Sequence, residues 1–205
     1  MAWTGSSATG ALAPARALPR LSSGALTAQT AMLIGLGIAG ALLHSVLKLR
    51  LGIPGHAALL WLVPILLGRG LAPMAAAGTL ATTSLASGLL AFGGLGRHWP
   101  LAASFGTFWL VGPVLDLCVF SFERGATHPR LTGRWAWLLL PMAGVVGNLA
   151  HLALKVAFGA MWAHPGALGL PGWLFESASH AVFGLAAGIV AYAILVPFGR
   201  RRAAQ

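Results

Sequence analysis

The sequence predicts an all-α integral membrane protein with six transmembrane helices and cytoplasmic N- and C-termini. Three observations carry this. The chain is 58% hydrophobic and only 8% charged, whereas a soluble domain carries about 25% charged residues. A chain so poor in polar groups cannot cover its surface against water, so lipid is its solvent. Its apolar residues fall into six runs, each near the ~20 residues that a bilayer requires. Finally, 13 Lys/Arg against 3 Asp/Glu give a net charge of +10. In a soluble protein that excess would suggest nucleic acid. Here the basic residues lie mostly between the apolar runs, so they report topology and no nucleic-acid partner is expected.

The elements follow in order. Residues 1–27 are rich in Ala, Ser, Gly and Pro and carry Arg16 and Arg20. They lack the continuous apolar core of a signal peptide, so a flexible or surface-lying tail is expected. Spans are expected at Ala28–Lys48, Gly55–Gly68, Leu71–Leu95, Pro100–Phe122, Trp135–Phe158 and Gly172–Phe198. Residues 28–198 thus form the transmembrane domain, and 199–205 a basic cytoplasmic tail. The second span is short, and only Arg69-Gly70 separates it from the third, so it is read as tilted or partly re-entrant. Pro54, Pro100 and Pro171 precede helices, where a missing amide proton costs least. Pro64, Pro113 and Pro141 fall within spans and should kink them. With the N-terminus inside, Arg16, Arg20, Arg69, Arg124, Arg130, Arg134 and Arg200–Arg202 collect on the cytoplasmic side. Only Lys48, Arg50, Arg97 and Lys155 remain outside, as the positive-inside rule requires of a multi-pass protein of the cell's inner (cytoplasmic) membrane. The lone Cys118 excludes an intrachain disulfide and a cysteine-based metal site.

One segment occurs twice. Gly37–Lys48 aligns without a gap with Gly144–Lys155 on the pattern G-x-x-G-x-L-x-H-x-x-L-K. Each copy leads to a similar loop, Leu51-Gly52-Ile53-Pro54-Gly55-His56 and Leu168-Gly169-Leu170-Pro171-Gly172-Trp173. A histidine and a lysine repeated at one depth in a membrane are costly, hence functional candidates, and the repeat hints at a pseudo-symmetric site. Further polar residues share this outer layer. Asn148, His151 and Lys155 lie on one helix face, Glu176 and His180 on another, and His44 and Lys48 repeat the arrangement. Ser104, Thr107 and Trp109 reach a similar depth. Such stripes must face each other or a water-filled cavity. The substrate-binding candidates are therefore His44, Lys48, Asn148, His151, Lys155, Glu176 and His180, in an outward-facing pocket with Trp99, Trp162 and Trp173 at its mouth. The Gly-Pro loops at 52–55 and 165–172 could act as its lids. Lys48 and Lys155 could equally snorkel to the interface, and the tryptophans could form an aromatic belt. Asp116 lies deeper, where it could pair with an inner arginine or sit in a subunit interface. Gly35, Ala39 and Gly40 give helix one a small-residue face for close packing, within the chain or on a partner.

Six short helices in about 200 residues, both termini inside, and an outer pocket on helices four to six resemble the substrate-binding S component of energy-coupling factor (ECF) transporters. The Leu51–His56 loop, the Ala/Gly-rich third helix and the run Ser179–Gly188 carry the resemblance, which covers residues 28–198. It implies capture of a vitamin or metal ion outside, followed by toppling against a transmembrane T component driven by two ATPase subunits, with Ala39 on the contact face. Members that take up nickel or cobalt begin with a histidine-containing motif. This chain begins Met1-Ala2-Trp3, so that mechanism is not expected. The surplus of Lys48, Arg50, Arg97 and Lys155 over Glu176 favours an anionic or carboxylate-bearing ligand.

Other classes of function remain open. His44 and His151 could be axial ligands of haem b, with Gly40 and Gly147 admitting the macrocycle and Lys48 and Lys155 pairing with its propionates. His44, His151, His180 and Glu176 are an acceptable donor set for a divalent metal such as zinc or nickel. The chain could also be an accessory subunit whose polar residues only hold helices together. No ATPase or hydrolase motif occurs, so an enzyme is not expected, nor is a cofactor under the S-component reading.

Overall fold

The computed structural model describes residues 23–47, 53–72, 74–92, 101–123, 136–160 and 170–203. Among these, every regular element is helical: α1 (Ser23–Val46), α2 (Ala58–Leu71), α3 (Ala77–Ala91), α4 (Leu101–Trp109), α5 (Val111–Glu123), α6 (Ala136–Ala160) and α7 (Leu170–Ala203). Three of them, α1, α6 and α7, are long and apolar enough to cross a membrane. α2 and the stretch Phe105–Val119 are shorter apolar helices. The chain is thus a helical bundle of membrane-protein character.

Its surface supports that reading. Ile34, Ile38, Leu42 and Val46 on α1 are exposed, as are Trp137 and Met142 on α6 and Leu174, Val182, Leu185 and Ile189 on α7. The interior, by contrast, holds Arg69, Thr107, Asp116, Asn148, His151 and His180. Apolar side chains outside and polar ones inside are what a hydrocarbon solvent selects.

α2 is the central helix. It is buried nearly all round, through Trp61, Leu62, Ile65 and Leu66 among others, and it packs on α1, α3, α6 and α7. A helix apolar on every side belongs in a core. The two repeat helices, α1 and α6, do not pack along each other. They flank α2 instead. The repeat glycines explain how: Gly40 faces the Trp61 backbone and Leu85, and Gly147 faces Leu62 and Leu115. The first glycine of each copy serves a neighbouring backbone. Gly37 receives the Ala81 carbonyl of α3, and Gly144 receives the Gly184 carbonyl of α7. A Cβ at either position would collide with backbone, so only glycine permits these approaches.

Several boundaries differ from expectation. α2 runs through Arg69-Gly70 to Leu71, so those residues are its last turn and not a loop. The helix ends because Ala72, which precedes Pro73, is extended at φ −106° and ψ 115°; a residue before proline avoids the helical region. α1 begins at Ser23, and α7 continues through Pro197 and Arg200–Arg202 to Ala203. α2 and α6 are likewise continuous through Pro64 and Pro141. The fourth rod does break. α4 and α5 meet at Leu110, just upstream of Pro113. Proline has no N–H for the carbonyl four residues earlier, here that of Trp109. The Thr82 hydroxyl of α3 lies 3.3 Å from this carbonyl, and 3.0 Å from that of Gly78, so a neighbouring helix covers the gap.

Candidate binding site

Two polar loci lie along α2, one around Trp61 and one at Arg69. Eight residues separate them, about 12 Å at the helical rise.

At the Trp61 locus the repeated histidines converge. His44, from the end of α1, sets its ring edge to face with Phe108 of α4 at 5.7 Å between centroids. His151 of α6 lies against the same ring at 4.5 Å and edge to face with Trp61 at 5.1 Å. Trp61 and Phe108 are themselves 5.4 Å apart. Phe108 therefore links the two copies of the repeat. Trp61 and His151 are both buried. Neither His44 Nδ1 nor His151 Nε2, both shielded from solvent, has a hydrogen-bond partner among the described residues, and the same holds for Ser45 Oγ. A buried polar atom left unpaired costs about 1–3 kcal/mol, so such atoms call for a physical reason.

His180 of α7 stands beside this cluster with its needs met. Its Nδ1 lies 2.9 Å from the Glu176 carbonyl. A carbonyl can only accept, so Nδ1 carries the proton. The partner is thus the Glu176 backbone and not its carboxylate. The turn between α1 and α2 rests on the same histidine. Gly55 has φ +78°, and a Cβ there would meet the His180 backbone at 2.9 Å, so both the turn and the close approach require glycine. Asn148 of α6 donates to the His180 carbonyl at 2.8 Å and to the Gly55 carbonyl at 3.4 Å. One amide thereby ties the turn, α6 and α7 together. His56 donates from Nδ1 to the Ile53 carbonyl and packs edge to face on Phe183 at 6.3 Å.

Lys155, one turn beyond His151 and exposed, lies close enough to act electrostatically on His44, His151, His180 and Glu176. Basic groups predominate in the cluster, with Glu176 as the carboxylate near Lys155 and His180. Among the described residues, no three His, Cys, Asp or Glu side chains are grouped so as to hold a metal ion.

Of the sequence-predicted residues, His44, Asn148, His151, Lys155, Glu176 and His180 share this end of the bundle. Lys48, Trp99, Trp162 and the loop at 165–169 lie outside the described residues. Of the residues expected on the fourth span, Thr107 is buried and Trp109 is exposed, and Phe108 between them is the one against the histidines. Sequence reasoning passed over Phe108 and Trp61 because an apolar ring in an apolar helix carries no distinguishing signal. Of the small residues on α1, Gly35 is open at the surface, Ala39 is half-buried and Gly40 packs within the chain.

The Arg69 locus is built for holding. Asp116 Oδ1 accepts from the Gly78 amide at 2.8 Å, and Oδ2 accepts from the Thr79 amide and hydroxyl, both at 2.7 Å. These amides belong to the first turn of α3, which lacks helical acceptors and attracts negative charge. Arg69 Nε lies 3.6 Å from Oδ1. The deep aspartate thus pairs with an arginine from α2 and caps α3 from α5.

No family model matches this chain, and neither a curated protein nor a solved structure does.

Proposed function

We propose that the chain is a substrate-capture subunit of the inner cytoplasmic membrane, of the energy-coupling factor S-component type. In this reading six spans place both termini in the cytoplasm, and the histidine cluster opens outward. A small vitamin-like or anionic ligand binds among His44, His151, Lys155 and His180, and a T component with ATPase subunits supplies the energy. The observation that carries the reading is the pair of unpartnered ring nitrogens on His44 and His151, set in an aromatic frame beside Lys155. A ligand supplying polar atoms there removes the cost of leaving them unpaired. The connection from α1 to α2 seats Gly55 on His180, as a cover over the site would.

A haem-b cytochrome is the second reading, favoured by the convergence of both repeated histidines. The placement of Phe108 fits it poorly. Its ring lies against both imidazoles, in the region that a macrocycle ligated by both would need. A reduced-minus-oxidised absorption spectrum of the detergent-purified protein, followed by native mass spectrometry, separates the two. A colourless sample with a small-molecule adduct, lost in His151→Ala, is expected. A Soret band lost in His44→Ala or His151→Ala would overturn the capture reading.

A further inference from the structure

We infer that the site takes up a proton together with a monoanionic ligand, so that ligand capture is electroneutral. The inference rests on the capture reading above and concerns the class of ligand and its regulation by pH.

The argument begins with charge. The chain has three acidic residues. Asp116 is committed to Arg69 and to the first turn of α3. Among the described residues Glu176 is the carboxylate near the cluster, where it acts on Lys155 and His180. The groups facing His151 are Lys155 on its own helix, His180 on α7 and His44 on α1, with the apolar rings of Trp61 on α2 and Phe108 on α4. Those facing His44 are Lys155 and His56. Among the described residues, the titratable groups that act on His44 and His151 are therefore all basic, and no carboxylate is among them to hold an imidazolium. For both rings, an imidazolium in the empty site would be an uncompensated charge, which is expensive in such surroundings.

A carboxylate entering beside them supplies the missing negative charge. One imidazole nitrogen then uses its lone pair to bind a proton drawn from bulk water. The new N–H donates to the carboxylate oxygen as a charge-assisted hydrogen bond. No bond of the ligand breaks, and the sum of one anion and one proton is neutral. A cation of the same shape supplies no negative charge to hold an imidazolium and meets Lys155.

Benzoate and benzamidine test this on the purified full-length protein in detergent, because they match in shape and differ in charge. Ligand binding is followed between pH 6 and 8.5 by thermal-shift titration. Benzoate is expected to stabilise the protein, and its Kd to weaken about tenfold per pH unit over the upper part of this range, as one linked proton requires. His151→Gln, which retains hydrogen-bonding capacity without titrating, and His44→Gln are each made in case one fails to fold. At least one of them is expected to flatten that slope. Benzoate binding that is independent of pH would overturn proton uptake while leaving the capture reading standing. Preference for benzamidine would overturn the anionic class. Failure of both probes at every pH, in a protein that still carries no small-molecule adduct, would overturn the inference and the capture reading together.

Discussion

At the residue scale, His151 is the side chain whose position is hardest to explain by packing alone. It is only 6% exposed, and its Nε2 has no partner among the described residues. A leucine of similar bulk would pack against Trp61 and Phe108 without that cost. His151→Leu is therefore expected to hold or raise the thermal midpoint of the detergent-solubilised protein, by up to the ~1–3 kcal/mol of an unpaired polar group, while abolishing the small-molecule adduct that the capture reading expects. Sites kept for function at the expense of stability behave in this way. A loss of several kcal/mol with the adduct retained would make the imidazole a structural element. The polar members of this site were legible in the sequence because a histidine or lysine in an apolar run stands out. Phe108 and Trp61 were not, because in such a run an aromatic residue is what lipid-facing and core positions share. Only the fold shows which rings turn inward.

At the element scale, the Arg69–Asp116 pair shows how three helices are fixed at one locus. Asp116 is half legible: an isolated carboxylate in the fourth span demanded a partner, and an inner arginine was among the candidates. That the arginine is Arg69 is not legible, because Arg69-Gly70 falls between two apolar runs and reads as a loop. Helix α2 runs to Leu71 before Ala72, which precedes Pro73, stops it, and Arg69 sits in that last turn. Removing one partner of a buried pair leaves the other uncompensated and costs about 3–5 kcal/mol, whereas replacing both by apolar groups is often nearly neutral. Asp116→Leu is expected to destabilise the bundle by roughly that amount, with α3 losing its cap as well. The double variant Arg69→Met/Asp116→Leu should recover most of the loss, leaving the deficit of the cap, about 1 kcal/mol. Thermal unfolding in detergent reads both. A double variant no more stable than Asp116→Leu would mean that the carboxylate acts on α3 alone.

At the scale of the whole molecule, the repeat and the short second helix bear on one question, which is whether α2 crosses the bilayer. α2 has 14 residues and rises about 21 Å, less than the ~30 Å of a hydrocarbon core. In lipid such a helix would leave its ends in hydrocarbon with backbone groups unpaired. This one is surrounded by α1, α3, α6 and α7, so protein is its solvent. Its N-terminal end is continued by the turn on His180, and its C-terminal end reaches the Arg69–Asp116 pair. The repeat supplies the flanking walls, since Gly40 and Gly147 bring α1 and α6 against consecutive residues of α2. A complete crossing places the turn before α2 and the turn after it on opposite sides. Ile53 and Ala75 are exposed in those turns, and Cys118 is the single native cysteine. In a Cys118→Ala background, Ile53→Cys is expected to react with a membrane-impermeant maleimide in intact spheroplasts. Ala75→Cys is expected to react only after permeabilisation, if the arginine-rich loops face the cytoplasm as the positive-inside rule predicts. Labelling of both from outside would make α2 re-entrant. The histidine cluster would stay on the side of Ile53 in either case, because Gly55 is seated on His180 and its carbonyl accepts from Asn148.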